Sequence, residues 1–301
     1  MTITEPAFAK LNLSLDILGK RPDGYHDLRM VMQSIDLCDT VSVTFQERPG
    51  ITLVTNLHYL PRDSGNIAVK AAEGFFRETG IAPVGLTIRV DKHIPVSAGM
   101  AGGSSDGAAV LRILRRALAP ELPDNALEAI ALQVGSDVPY CVRGGTALAE
   151  GRGEVLTDLP ALPQCFLVVC KPAFPISTPE LFGLVRLRQM RCHPDTAGIT
   201  KALAGGDLSG VCRRVYNVFE DILPGKYRAV GEIKRMLMEL DANAACMTGS
   251  GPTVFGIFTE ERRALHAVEQ LRREYPQTFL SRPVGRYAPS GRWPSGGETA
   301  S

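Results

Sequence analysis

One loop between a strand and a helix carries the residues whose chemistry is most easily read from the sequence. Residues 94–110 read IPVSAGMAGGSSDGAAV, with three glycines (99, 102 and 103) followed by two serines (104 and 105). Glycine lets backbone N–H groups approach an anion, and the N-terminus of the following helix favours negative charge. The loop is therefore predicted to cradle phosphate. From glycine content alone, a flexible turn is the alternative.

Two common phosphate-binding motifs do not fit this loop. A P-loop needs Gly-Lys followed by Ser or Thr, and no such triplet occurs in the chain. The dinucleotide-binding fingerprint needs G-x-G-x-x-G and an acidic residue ~20 positions later. Ala101 interrupts that spacing and the acidic residue is missing. A nicotinamide-dependent oxidoreductase is therefore disfavoured.

The N-terminal segment places a lysine and an amide on one face of a predicted strand. Apolar residues at 11, 13, 15 and 17 alternate with polar residues at 10, 12, 14 and 16. Period two gives a strand with one buried and one polar face, so Lys10 and Asn12 point the same way. The pattern alone is equally satisfied by a solvated lysine on an edge strand.

Three further segments have residue types suited to a site. GSDVPY (135–140) places Asp137 between a helix stop and a proline-containing turn, where an aspartate is commonly a helix cap or turn former. MTGSGPTVFGIF (247–258) is a second glycine-serine loop between apolar strands, and by itself it would be a hairpin turn. Tyr25 and His26 follow the turn sequence RPDG, and the alternative to a role in a site is that they only pack on the surface.

The strand and helix patterns that would position these residues predict an α+β protein. Strand patterns lie at 11–17, 41–45, 86–90, 165–170, 243–247, 253–258 and 278–284. Helical patterns lie at 66–79, 106–119, 125–135, 178–186, 197–218, 226–240 and 260–273. Strands and helices mix without strict alternation, which favours α+β over a doubly wound sheet.

Length and composition narrow the class of protein. A chain of 301 residues suits two domains. The net charge of +1 gives no sign of nucleic-acid binding, and no apolar run is long enough for a transmembrane helix. The seven cysteines lack a paired motif and are interpreted as reduced thiols of a cytoplasmic protein.

The segments, taken in order, resemble one superfamily: the galactokinase, homoserine kinase, mevalonate kinase and phosphomevalonate kinase (GHMP) superfamily. AKLNLSLDILGKRPDGYHDL, the glycine loop, GSDVP and MTGSGPTVF are similar to its motifs over about residues 6–286. The resemblance implies a two-domain α+β fold. The N-terminal ATP-binding domain (1–160) is expected to resemble ribosomal protein S5 domain 2, and the C-terminal domain (161–288) to be ferredoxin-like. Residues 289–301 are Pro/Gly/Ser-rich and predicted to be disordered.

The same resemblance implies phosphoryl transfer from ATP with Mg²⁺, and roles for individual residues. Asp137 would be the general base, with Lys10 beside it balancing charge in the transition state. Asn66 and Lys92 would approach the adenine, and Ser104 or Ser105 could contact magnesium. The ATP phosphates would be held by Pro95, Val96, Ser97, Ala98, Gly99, Met100, Ala101, Gly102, Gly103, Ser104 and Ser105.

Within the superfamily, RPDGYHDL is similar to the branch whose substrate carries cytidine diphosphate. That implies phosphorylation of the 2-hydroxyl of a diphosphocytidyl methylerythritol in the non-mevalonate isoprenoid pathway. Tyr25, His26 and Phe182 would recognise the base and Asn12 would orient the substrate. Gly249, Ser250 and Gly251 would line its methylerythritol and phosphate end. The substrate is expected to lie in a cleft between the domains of a monomer or homodimer.

Alternatives and departures from the family pattern remain at this point. The alternatives are another GHMP kinase, of mevalonate or homoserine type, and a non-catalytic sensor, which would be expected to lack Lys10 or Asp137. The family loop commonly has glycine where this chain has Ser97 and Ala101. These small residues preserve the cradle if their positions do not need positive φ. A family acid is also replaced by Val218.

Overall fold

The computed structural model describes residues 1–187, 190 and 192–287. The chain forms two compact units assembled from separate segments. The first contains residues 1–9, 37–96 and 101–143, and the second contains residues 10–36, 97–100 and those from 144 onward. The domain boundary near residue 160 stays a prediction. The predicted tail, 289–301, lies outside the described residues.

Two long strands contribute to both units along the chain: β1 (Thr2–Lys20) and β2 (His26–Gln46). The other strands of the first unit are β3 (Gly50–Thr55) and β4 (Gly85–Asp91). Residues 40–46 of β2 pair antiparallel with β4, which pairs parallel with β3. The predicted strands 41–45 and 86–90 are confirmed as parts of β2 and β4.

Four helices complete the first unit: α1 (Ile67–Thr79), α2 (Gly102–Leu118), α3 (Asp124–Val134) and α4 (Val138–Arg143). A buried ion pair ties them to β1, since Arg112 Nε donates to Glu5 Oε2 at 2.8 Å and Arg112 Nη1 donates to the Cys141 carbonyl at 2.7 Å. The middle of α2 is thereby fixed to α4, which begins directly after Asp137.

Among the described residues of the second unit, seven strands join β1 and β2: β5 (Thr146–Gly151), β6 (Val155–Asp158), β7 (Phe166–Lys171), β8 (Tyr216–Asn217), β9 (Ala244–Met247), β10 (Val254–Phe258) and β11 (Gln277–Ser281). Its helices are α5 (Thr178–Gly183), α6 (Thr196–Ala204), α7 (Leu208–Cys212), α8 (Ala229–Glu239) and α9 (Glu261–Arg272), with 3₁₀ turns at Val218–Ile222 and Gly225–Tyr227. β8 pairs parallel with β1, and β5 pairs antiparallel with β2 and β6.

The four-stranded sheet of the second unit runs β11-β7-β10-β9, with every neighbour antiparallel. The four strands and the two helices that pack on them follow one another in the order β7, α8, β9, β10, α9 and β11, with α5, α6, α7 and β8 between β7 and α8. This is the β-α-β-β-α-β arrangement of a ferredoxin-like fold. Strands β7, β9 and β10 are almost entirely buried, which explains their continuous apolar sequence.

Two predictions about elements need correction. The single helix predicted over 197–218 is divided into α6 and α7, because Gly206 takes φ +64° and Asp207 caps a new helix, and the segment ends in β8. The polar face of β1 is itself buried, including Lys10 (4% exposed) and Asp16 (5%). Among the described residues, no helix has the length and apolar character to span a membrane.

Candidate active site

The glycine loop has three left-handed residues in alternate positions: Ser97 (φ 53°), Gly99 (φ 74°) and Ala101 (φ 56°). Positions 97 and 101, where the family loop commonly has glycine, therefore adopt positive φ. Serine and alanine at these positions are thus held in a strained backbone conformation. A non-glycine residue there costs roughly 1–2 kcal/mol. The buried side chains of Ala98 and Met100 alternate with these positions and anchor the loop.

The end of the loop, in the first unit, opens α2. Ala101 precedes the helix and makes no side-chain cap, so the first backbone N–H groups of α2 have no partner within the helix. Ser105 is 1% exposed and its hydroxyl donates to the Phe8 carbonyl. Ser104 is only partly buried. Of the two serines predicted as magnesium contacts, Ser104 therefore has the more accessible hydroxyl.

In the second unit, the start of the glycine loop lies against the second glycine-serine loop. A Cβ built on Gly99 would lie 2.5 Å from the Thr248 carbonyl oxygen and 3.0 Å from that of Gly251. Reciprocally, a Cβ on Gly249 would lie 2.7 Å from the Gly99 carbonyl oxygen. Ser250 shares a hydrogen bond of 2.7 Å with Thr178 at the start of α5. These two glycines are thus required by the close approach of two backbones.

Lys10 and Asn12 form a buried pair on β1. Lys10 Nζ donates to Asn12 Oδ1 at 2.7 Å, and the Lys10 amide donates to the Met100 carbonyl at 3.1 Å. The Asn12 amide donates to Thr248 Oγ1 at 2.9 Å, and Asn12 Nδ2 lies 3.3 Å from Met30 Sδ. The predicted catalytic lysine is therefore oriented by the predicted substrate-binding amide and connected to both glycine loops.

The predicted base-recognition residues also lie in the second unit. The turn before them is confirmed, with the Arg21 amide donating to the Tyr25 carbonyl at 2.8 Å. The rings of His26 and Phe182 are stacked with centroids 5.0 Å apart. Burial, and then the charge of Lys20, lower the pKa of His26, so the imidazole is neutral at pH 7. The Arg152 guanidinium lies 4.9 Å from the Tyr25 ring centroid.

Asn66 and Lys92, in the first unit, have structural partners. Asn66 caps α1, accepting from the Ala68 amide at 3.0 Å, and donates to the Pro61 carbonyl at 3.0 Å. Lys92 is almost fully buried and its ammonium pairs with Asp39 and, at 2.7 Å, with Asp106. A Cβ on Gly102 would lie 3.3 Å from Lys92 Nζ, so this ammonium lies directly behind the start of α2. Contacts of either residue with adenine stay predictions.

The structure around Asp137 differs from the prediction. The residues after it form helix α4 instead of a turn, with the Cys141 amide donating to the Asp137 carbonyl at 3.1 Å. Proline is compatible with the first turn of a helix, which is why Pro139 did not prevent α4. Asp137 belongs to the first unit and Lys10 to the second, so their pairing remains a prediction.

Sequence reasoning missed several residues that support the site. Burial raises the pKa of Asp106 to about 8, with Lys92 opposing and Asp39 adding to the rise. Thr248 and Asn217, both buried, hold the second glycine loop. Asn217 had a sequence signal, since it directly precedes Val218, where the family pattern has an acid. Thr248 lies in the second glycine-serine loop but was not singled out there, and Asp39 had no sequence signal.

Comparisons with known proteins agree with this architecture. The family model for the GHMP kinases N terminal domain matches residues 66–145, and that for GHMP kinases C terminal matches residues 199–277. A protein of Clostridium botulinum (strain Kyoto / Type A2), named 4-diphosphocytidyl-2-C-methyl-D-erythritol kinase, is 40% identical over 92% of this chain and 99% of its own. A protein of the same name from Geobacillus kaustophilus (strain HTA426) is 41% identical over 95% of this chain and 98% of its own.

Solved structures give the same result. The crystal structure of a 4-(cytidine 5'-diphospho)-2C-methyl-D-erythritol kinase superposes with a TM-score of 0.79 at 30% identity, covering 93% of this chain and 99% of that one. Homoserine kinase from Cytophaga hutchinsonii has a TM-score of 0.73 at 16% identity, covering 95% of each chain, and supports the fold alone. The chain therefore belongs to the GHMP kinases, in the family of the 4-diphosphocytidyl-2-C-methyl-D-erythritol kinases.

Proposed function

We propose that this chain transfers the γ-phosphate of ATP to the 2-hydroxyl of 4-diphosphocytidyl-2-C-methyl-D-erythritol. The observation that carries the proposal is the placement, in one unit, of the buried Lys10–Asn12 pair and the stacked rings of His26 and Phe182. The first pair suits charge stabilisation during phosphoryl transfer. The second suits a substrate with an aromatic base.

ATP phosphates would be held mainly by backbone groups. The orphan N–H groups at the start of α2 and the open backbone of Gly103 supply donors without filling space. Residues 95–105 contain no lysine or arginine, so this part of the cradle depends on N–H dipoles. The buried Lys92 ammonium lies behind the start of α2, and its charge is balanced there by Asp39 and Asp106.

A magnesium ion fits this donor set as an ion carried by ATP. Mg²⁺ usually takes one or two protein ligands together with phosphate oxygens and water. Within the part of the chain that the structure describes, no three His, Cys, Asp or Glu side chains cluster to hold a metal by themselves. We infer that Ser104 contributes a hydroxyl ligand, because Ser105 is committed to Phe8. When bound, the ion would neutralise charge on the β- and γ-phosphates.

We assign proton removal to Asp137 and charge stabilisation to Lys10. A carboxylate within hydrogen-bond reach of the substrate hydroxyl accepts its proton as the oxygen attacks phosphorus. The Lys10 ammonium has three donors, of which one is used by Asn12 at 2.7 Å. Two donors remain for the attacking oxygen and the transferred group. Holding the ammonium in place beforehand avoids reorganisation during the reaction.

The base would be recognised by ring contacts and by the His26 edge. Inserting a base between two rings requires about 7 Å, twice a contact distance of ~3.5 Å, and His26 and Phe182 are 5.0 Å apart. The base therefore stacks between Tyr25 and Phe182, or Phe182 moves aside. A neutral imidazole offers one donor and one acceptor, so one of its nitrogens can donate to cytosine's ring nitrogen or accept from its amino group.

A substrate panel tests the proposal. The protein is incubated with ATP and magnesium plus diphosphocytidyl methylerythritol, mevalonate or homoserine, and ADP is measured against a reaction without acceptor. We expect ADP formation to depend on the first compound. Dependence on either of the other two would favour the alternative GHMP kinases. The expectations of cytoplasmic location and of a monomer or homodimer rest on sequence alone.

A further inference from the structure

Thr248 connects the second glycine loop to the Lys10–Asn12 pair. Its hydroxyl accepts from the Asn12 amide at 2.9 Å and donates to Asn12 Oδ1 at 3.4 Å. That same Asn12 oxygen receives the Lys10 ammonium at 2.7 Å. Thr248 is 0% exposed, so its position determines where the Asn12 side chain, and with it the Lys10 ammonium, can lie.

Asn217 holds the backbone on both sides of Thr248. Its Nδ2 donates to the Met247 carbonyl and to the Gly249 carbonyl, each at 2.8 Å. Both N–H groups of the amide are therefore used, and Oδ1 accepts from the Phe219 amide at 3.0 Å. Asn217 is 1% exposed. Water is thus a poor substitute partner for either carbonyl.

The segment that carries Asn217 is anchored on the strand that carries Lys10. Asn217 pairs with Leu15 in the parallel β8–β1 ladder, three residues beyond Asn12. Glu220 in the following 3₁₀ turn accepts from the Met247 amide at 2.7 Å and pairs with Lys234. Val218, where the family pattern has an acid, is fully buried, so the polar contacts of this segment come from positions 217 and 220.

We propose that Asn217 is a positioning residue for phosphoryl transfer. It fixes the two carbonyls that flank Thr248. Thr248 in turn bonds the Asn12 backbone N–H and the Asn12 side-chain oxygen, and that oxygen holds the Lys10 ammonium. This inference rests on the proposed kinase function for its kinetic readout. It assigns Asn217 no contact with ATP or with the substrate.

The chemistry of the amide makes the proposal testable by an isosteric change. Asn217→Asp replaces two N–H donors with a carboxylate oxygen that faces two carbonyl oxygens. Each contact then becomes repulsive, and the loop around Thr248 must shift. Misplacement of a catalytic arrangement by ~1 Å can cost ~10²-fold in rate. The control is Asn125→Asp, which makes the same change on an exposed amide at the start of α3.

The kinetic experiment compares Asn217→Asp, Thr248→Val, Thr248→Ser and the double variant Asn217→Asp/Thr248→Val. We expect kcat to fall ~10²-fold in the first two, with smaller changes in KM for either substrate. Thr248→Ser keeps the hydroxyl and is expected to retain kcat within a few-fold. Because Asn217 acts through Thr248, the double variant should be little worse than the poorer single variant. Multiplicative losses, or a rise in KM alone, would overturn the proposal.

Hydrogen exchange of the Asn12 backbone N–H can be measured without any enzyme activity. That N–H is bonded to Thr248 Oγ1, so it should exchange faster in Asn217→Asp and Thr248→Val than in wild type, while Asn125→Asp leaves it unchanged. If wild type produced no ADP, the proposed function would fail, and exchange would still test the connection. If Asn217→Asp did not fold, unchanged Asn12 exchange or full kcat in Thr248→Val would reject the proposal.

Discussion

Gly99 is the position where a single methyl group tests the packing of the two glycine loops most sharply. Gly99→Ala introduces two penalties. The first is conformational, because φ is +74° and alanine in the left-handed region costs roughly 1–2 kcal/mol. The second is steric, because the new Cβ would lie 2.5 Å from the Thr248 carbonyl oxygen, which is backbone and cannot rotate away.

A control for the conformational penalty exists in the same chain. Gly80 ends α1 with φ +69°, and a Cβ there meets nothing within 4 Å. Gly80→Ala therefore carries the left-handed cost alone, reduced by ~0.4–1 kcal/mol through the lower entropy of its unfolded chain. The difference between the two variants isolates the contact between Gly99 and Thr248.

The expected result follows from the displacement required. Relieving the contact at Gly99 needs a shift of about 1 Å, and a shift of that size in a catalytic arrangement can cost ~10²-fold. Gly99→Ala should therefore lose ~10²-fold in kcat/KM, whereas Gly80→Ala loses stability and keeps its kcat/KM. Urea denaturation and steady-state kinetics measure the two effects. Equal kcat/KM in the two variants would refute the reasoning.

Four further predictions concern other residues. Ala101→Gly removes a left-handed non-glycine residue and should raise the free energy of unfolding by up to about 1 kcal/mol, after the entropy of the unfolded chain is subtracted; a lower value in urea denaturation would contradict this. Folding raises the pKa of Asp106 from 3.8 to about 8. The protonated Asp106 therefore stabilises the folded state fully below pH 3.8, and this contribution to the free energy of unfolding is lost as the pH rises to about 8. Thermal denaturation between about pH 4 and about pH 9 should show that loss in wild type and not in Asp106→Asn, and an unchanged loss in the variant would assign it to another group. His26→Ala should reduce the preference for the cytidine substrate over its uridine analogue, because unpaired polar groups at the base edge cost roughly 1–3 kcal/mol each. Phe182→Ala should raise KM, since stacking contributes ~1–3 kcal/mol per base, while the cytidine preference stays; full preference in His26→Ala would place base reading elsewhere.

Much of the fold could be predicted because hydrophobic periodicity and the residues that end helices and strands agree along the chain. The apolar runs of β7, β9 and β10 and the glycine-terminated helical patterns gave their elements directly. The division between α6 and α7 was missed because both halves have helical periodicity, and the two helices are separated only by a short turn with the left-handed Gly206 and the capping Asp207. Helix α4 was missed because Pro139 was read as a turn signal.

The functional side chains of the candidate site were predictable from the sequence, and the residues that hold them in place were less so. Lys10, Asn12 and the glycine loops were identifiable from residue type and order. The reason for Gly99 and Gly249 was not, because sequence suggested space for an anion whereas the structure adds the contact between two backbones. Partners such as Thr248 lie more than two hundred residues from Asn12 in the chain, and nothing in single-sequence periodicity reports such contacts.

Proton-coupled ³¹P NMR of the reaction product tests the central claim most directly. The 2-hydroxyl of the methylerythritol is on a carbon that carries a methyl group and no hydrogen, so a phosphate attached there has no three-bond coupling to a proton. With wild-type protein, ATP and magnesium, we predict a new phosphomonoester singlet that grows together with ADP. With Asp137→Asn, the rate of its appearance should fall ~10²–10⁴-fold. A proton-split phosphomonoester signal, or ADP without any new phosphomonoester, would contradict the account.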